Sequence, residues 1–412
     1  MFLLHHCFAA LKVVPLTIIC LLAILIPLWV HDFFIIQIHK RTSTGLSVPR
    51  GQTNRQRIVI KLIGFYTTLL LILLAYNLFA PVYQYSASAT IFYNHFFYLL
   101  DLMAPFILVL GFFYFIEIDR RQENPCDAYW HMGCFVTGQW KKVNAVILKE
   151  HARVWFIKAF FTPFMFASLV QYVQEFISFN WKDISFFSFH NYLLNLCYSV
   201  DILYGVLGYI LTFRLLDTHI RSTEPTCLGW LTCLACYHPL ASIFGINRFP
   251  YDDGFNWNHW FALTPGLYYI SASVILFLTV VYALATVAFG YRMSNLTYRG
   301  IITSGPYRFT KHPAYLCKVA SWWLIYLPFF SVDGPLLALK HTANLSIISL
   351  IYYLRARTEE NHLSNYPEYV AYANWINERG LFRFISRRFP ALKYSEEKCK
   401  RWHSVVWFKK LH

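Results

Sequence analysis

The chain has 412 residues, 57% hydrophobic and 19% aromatic, and only 14% are Asp, Glu, Lys or Arg, where a soluble domain carries about 25%. Its 36 Lys+Arg outnumber 21 Asp+Glu, giving a formal charge of +15. Such a composition excludes a disordered chain, which is poor in aromatics, argues against an ordinary soluble enzyme, and leaves a polytopic membrane protein.

A bilayer core needs about 20 apolar residues per helix. Stretches of that kind predict spans near 8–30, 60–82, 96–117, 155–177, 191–213, 226–245, 263–289, 315–332 and 336–354. The stretch 226–245 is the weakest, because it holds Gly229, His238 and Pro239. Only Ser331–Pro335 joins the last two, so they form a tight helical hairpin. The expected fold class is all-α, a polytopic transmembrane bundle of about nine spans.

If the loops alternate sides, one side collects 31 of the Lys and Arg residues and the other 2. The positive-inside rule then puts the N-terminus outside and the C-terminus in the cytoplasm. The positive charge is thus topological, and nucleic acid is not needed to explain it. The first apolar run is followed, not preceded, by Lys40 and Arg41, so it reads as an anchor rather than a cleaved signal. Arg292 and Arg299 read as anchors of the same positive side.

Ten cysteines are scattered and imply no disulfide framework. Cys233-x-x-Cys236 resembles a redox or zinc spacing but sits in an apolar run with no second pair, Cys126, His131 and Cys134 fit no zinc pattern well, and no metal is expected. Arg387, Arg388, Lys393, Lys398, Lys400 and Arg401 alternate with Phe389, Tyr394 and Trp402, which suits a tail lying on an anionic leaflet. Asp201 falls inside a predicted span, where a charge needs a partner or a cavity.

Polar residues crowd before and after the final hairpin. Gly305-Pro-Tyr-Arg-Phe-Thr-Lys-His-Pro-Ala-Tyr315 precedes it, and Arg355-Ala-Arg-Thr-Glu-Glu-Asn-His-Leu363 comes after it, then Tyr369 and Tyr372. A hairpin returns the chain to its starting side, so His312 and Tyr315 should meet Glu359 and Glu360. Arg and His can take a carboxylate or phosphate. Paired carboxylates can take an ammonium or ribose hydroxyls, and tyrosine faces attract a sulfonium. Gly305-Pro306 makes a turn, and Pro313 starts a helix whose free N–H groups suit an anion. This set matches S-adenosylmethionine and partly matches a nicotinamide dinucleotide.

The same two runs, separated by a hairpin, resemble the isoprenylcysteine carboxyl methyltransferase and phospholipid methyltransferase superfamily over roughly residues 285–380. The resemblance implies an S-adenosylmethionine-dependent methyltransferase acting on a lipid or lipidated acceptor, embedded in the membrane with a cytoplasmic site. It implies that Gly305, Tyr307, His312, Pro313, Tyr315, Glu359 and Glu360 sit at the cofactor. Lys311 stands where that superfamily usually has Arg. Methyl transfer from a sulfonium needs alignment and a dry site. Arg308 and Arg355 are candidates to orient substrate, and Glu360 to neutralise the cofactor's ammonium or act as base. The alternatives are an NADPH-dependent membrane reductase of the sterol-reductase type and a transporter or receptor. The expected division is a transmembrane region 1–262, a methyltransferase-like core 263–390 and a basic aromatic tail 391–412.

Overall fold

The computed structural model describes residues 2–47, 51–84, 86–388 and 393–397. Most of the predicted basic aromatic tail lies outside the described residues. The described residues are mostly helical, with two strands of two residues each among them. Among the described residues, six helices are long and apolar enough to cross a membrane: Val13–Ile35, Arg55–Leu78, Ala87–Asp119, Ala145–Ser178, Phe186–Ile210 and Pro265–Arg292. Each coincides with a predicted span, and their many exposed Leu, Ile and Phe side chains suit a lipid solvent. The molecule is a multi-pass helical membrane protein.

Two compact units divide the chain. The first comprises Met1–Ile177 and Gly205–Thr223. Its helices include α1 (Phe2–Val30), α2 (Arg55–Leu78), α3 (Ala87–Asp119), α4 (Ala128–Val136) and α5 (Ala145–Ser178). Asn54, Ser86 and Asp127 start α2, α3 and α4 as N-caps, their side chains accepting backbone N–H groups. Helices α2 and α4 touch backbone to backbone. A Cβ on Gly64 would lie 2.0 Å from the Tyr129 carbonyl oxygen, and one on Gly133 1.9 Å from that of Ile60. Lys61 is fully buried beside this contact. It lies 3.2 Å from Asp119 and 3.5 Å from Asp127, and Arg57 grips Asp119 with two hydrogen bonds. A buried cation needs such compensation.

The second unit comprises Ser178–Tyr204 and Glu224–His412. It holds most of α6 (Phe186–Ile210), then α7 (Cys227–Leu234), α8 (Pro265–Phe289), α9 (Pro313–Tyr326), α10 (Pro335–Leu363), α11 (Pro367–Arg379) and α12 (Arg383–Arg388). Four of these, α8 to α11, begin with proline at the first turn, where the missing N–H costs nothing.

The predicted span 226–245 is not a spanning helix. Helix α7 has 8 residues, about 12 Å, and Pro239 interrupts the apolar run beyond it. The chain then folds back, with Ile246 N donating to the Ala235 carbonyl at 3.0 Å. Even so, residues 224–253 run the length of α10. Glu224 lies 3.8 Å from His362, Asn344 donates to the Pro250 carbonyl, and Asp253 accepts from Ser331 before the helix begins. From His362 back to Asn344 the helix covers about 27 Å, close to a bilayer core. Irregular backbone is tolerated at such depth only when packed against protein, and Cys236, Ile246, Phe249 and Tyr251 pack here on Leu345, Ile348 and Tyr352. Helix α9, read as span 315–332, has 14 residues, about 21 Å.

Candidate active site

The turn before α9 sets the site's first wall. Gly305 has φ +58°, a left-handed conformation that favours glycine. It starts a short 3₁₀ turn, Gly305–Arg308, that sends Tyr307 inward and Arg308 out to solvent. Tyr307 is buried against Phe289, and its carbonyl accepts from the Tyr372 hydroxyl at 2.8 Å. Tyr369, Tyr372 and Tyr394 close this floor as one apolar cluster. Tyr394 belongs to the described part of the predicted tail; it is buried, and its hydroxyl lies 2.9 Å from the Ser364 hydroxyl.

The hairpin brings the two sequence-distant runs together. His312 Nε2 lies 3.1 Å from Glu360 Oε1, and the Tyr315 hydroxyl donates to Glu359 Oε2 at 3.1 Å. The His312 and Tyr315 rings stack nearly parallel, 5.7 Å apart. Glu360 is buried and fully engaged. Lys311 and His312 meet one oxygen, and Arg357 Nη1 donates to the other at 2.7 Å. Burial pushes the Glu360 carboxyl up, but the His312 hydrogen bond and charge and the Lys311 charge outweigh it and hold the carboxyl down to about 2. Glu359, the neighbouring residue on the helix, keeps about two fifths of its side chain exposed.

Two cavities adjoin this hairpin, one of about 680 Å³ and one of about 420 Å³. Both open toward solvent, and their walls mix charged, amide and aromatic side chains. They share Ser294, Asn295, Tyr315, Arg355 and Glu359. Arg355 is buried and stands between them. Its Nη2 donates to Asn295 Oδ1 at 3.1 Å, and its guanidinium lies 5.0, 5.1 and 5.5 Å from the ring centres of Tyr315, Tyr352 and Tyr237. The larger cavity also takes in Tyr307, His312, Lys318 and Asp201. The smaller takes in Glu224 and His362.

Of the residues picked from sequence, Tyr307, His312, Tyr315, Arg355 and Glu359 line a cavity. Pro313 is buried at the first turn of α9 behind them. Glu360 is the hub of the ion cluster rather than a cavity wall. Arg308 lines neither cavity, because the 3₁₀ turn spends its inward position on Tyr307. Arg299, read as a surface anchor, is almost fully buried, and its Nη1 reaches the Met293 carbonyl. Sequence reasoning missed Tyr237, Asn295, Tyr352 and Lys318 as site residues. Asn295 sits in a glycosylation-like triplet that hid its role, and Tyr352 lies inside a predicted span.

Asp201, flagged as a costly charge, is hydrogen-bonded on both oxygens, by the Tyr282 and Thr286 hydroxyls of α8. It also lines the larger cavity. The donor set fits S-adenosylmethionine. Glu359 offers a half-exposed carboxylate for an ammonium, and Arg355 a buried guanidinium for a carboxylate.

Among curated proteins and among solved structures nothing matches the chain. Its C-terminal part is a different matter: residues 266–365, from α8 to just past the end of α10, match the model of the isoprenylcysteine carboxyl methyltransferase (ICMT) family.

Proposed function

We propose that this chain is an integral-membrane, S-adenosylmethionine-dependent methyltransferase whose acceptor is a lipid or a lipidated group. One observation carries the reading most: the motif residues within the family match converge across the hairpin, His312 on Glu360 and Tyr315 on Glu359, beside a cavity that His312, Tyr315 and Glu359 line. The core is segment 263–390. The site faces the cytoplasm, with the N-terminus outside, a topology that the 31-to-2 charge asymmetry supports. The packed traverse of residues 224–253 along α10 supplies the crossing that a ninth span would need.

When bound, S-adenosylmethionine supplies an electrophilic methyl group. The chain supplies alignment and exclusion of water. Arg355 orients a carboxylate, since Arg308 points to solvent. Glu359 receives the ammonium, and Tyr315, Tyr237 and Tyr352 hold the Arg355 guanidinium in place. Glu360 holds Lys311, His312 and Arg357 in one cluster, so that the N-terminus of α9 is fixed against the end of α10. A carboxylate held that far down is a poor base, which points Glu360 to positioning rather than to proton transfer.

Calorimetric titration of the detergent-purified protein with S-adenosylmethionine and, separately, NADPH tests the reading. Binding of the first, weakened in Glu359→Gln, is the expected result. Binding of NADPH alone would move the protein to the membrane reductases.

A further inference from the structure

Three cations line the larger cavity: Lys311, Lys318 and Arg355. Lys311 is closed by Glu360. Arg355 donates to Asn295 through Nη2, lies among tyrosine rings, and is the cation assigned above to the methyl donor's carboxylate. Lys318 differs. Among the described residues, no carboxylate lies within 4 Å of its Nζ, and none accepts a hydrogen bond from it. Its neighbours are ring faces, Tyr282 and Trp322 at 5.4 Å and Tyr352 at 5.8 Å. Asp201 lines the same cavity but has both oxygens taken by Tyr282 and Thr286. Glu359, the other carboxylate of this wall, is half-exposed and bonds Tyr315, so Lys318 is the cation of the cavity that no carboxylate closes.

Depth adds to this. Lys318 sits five residues past Pro313, about 8 Å along α9. A lysine held there among aromatic rings, on a helix of a membrane protein, is withdrawn from free solvent. An ammonium in such surroundings gains most from an anionic oxygen that replaces lost water.

We propose that Lys318 is the residue that holds the anionic oxygen of the acceptor's headgroup, a carboxylate or a phosphate, and so selects anionic amphiphiles over neutral ones. The assignment rests on the methyltransferase reading for its meaning, yet it concerns a residue outside the motif that carries that reading. Arg355 is left to the methyl donor's carboxylate, and the two anions are received by separate cations of one cavity.

The test is binding of amphiphile pairs to the purified full chain in detergent. N-acetyl-S-farnesylcysteine is compared with its carboxamide, and dioleoyl phosphatidate with dioleoylglycerol. S-adenosylmethionine is titrated in parallel. The wild type should prefer one anion over its neutral partner, and Lys318→Met should lose that preference by roughly ten- to a hundredfold. Lys318→Arg should keep most of it, and S-adenosylmethionine affinity should stay within about twofold in both. Lys318→Gln replaces the methionine variant if the latter does not fold. The pair that shows the preference names the headgroup, carboxylate or phosphate. No preference in the wild type, or an undiminished one in Lys318→Met, overturns the assignment. If the preference is present and lost as stated but S-adenosylmethionine does not bind, Lys318 stands and the methyltransferase reading falls.

Discussion

Glu360 gathers Lys311, His312 and Arg357, and its burial makes each of those contacts depend on its charge. Glu360→Gln leaves three partly buried cations without their counter-ion, and a loss of about 2–3 kcal/mol is expected from denaturation in detergent. The carboxyl is held at about 2, below its ordinary 4.5. Its contribution is therefore complete above about pH 4.5 and is lost as pH falls toward 2. Melting temperature should fall more steeply below pH 4.5 in the wild type than in Glu360→Gln. Neither should show a Glu360-linked change between pH 5 and 8. The two arginines chosen from sequence separate at this scale. Arg355→Gln should weaken S-adenosylmethionine binding by about 2–4 kcal/mol, roughly 30- to 1000-fold. Arg308→Gln, on an exposed side chain, should change it less than about twofold and stability by no more than about 0.5 kcal/mol. Equal losses in the two would contradict the placement of Arg355.

Helices α2 and α4 meet through glycine because nothing larger fits. Gly133→Ala puts a methyl group 1.9 Å from the Ile60 carbonyl oxygen, and a loss of about 1–3 kcal/mol is expected in thermal unfolding. Helix start points were legible in the sequence where a cap residue or a proline marks them, as at Asp127 and Pro313. The meeting of His312 with Glu360 was legible too, because a five-residue connection forces a hairpin and a hairpin fixes which ends face each other. The segment 226–245 was legible only as apolar. Its composition suits a spanning helix, but Gly229 must pass within van der Waals reach of Glu224, and Gly245 against the Ala235 carbonyl. Such close approaches are tertiary facts that hydropathy does not carry. Lys318 and Tyr237 were illegible for the same reason. One lies inside an apolar run and the other in an irregular segment, and only packing brings them to the cavity of Arg355.

At the scale of the whole molecule the account needs the basic loops in the cytoplasm. Lys141 and Lys182 are both exposed and sit in loops assigned to opposite sides. In a background without exposed cysteines, Lys182→Cys should react with an impermeant maleimide on sealed cells and Lys141→Cys should not; the reverse pattern would invert the topology. The long apolar helices announced a membrane protein from composition alone, whereas the family match covers under a quarter of the chain and surfaced through two short polar runs. The proposed function rests on that quarter. The most direct test is transfer of a labelled methyl group from S-adenosylmethionine into material extractable by organic solvent, using the purified protein in nanodiscs with lipids and prenylated cysteine present. The account predicts label in the organic phase with the wild type and at least a roughly tenfold fall in Arg355→Gln. Label that stays in the aqueous phase with the wild type, while S-adenosylmethionine is bound, would contradict a lipid or lipidated acceptor.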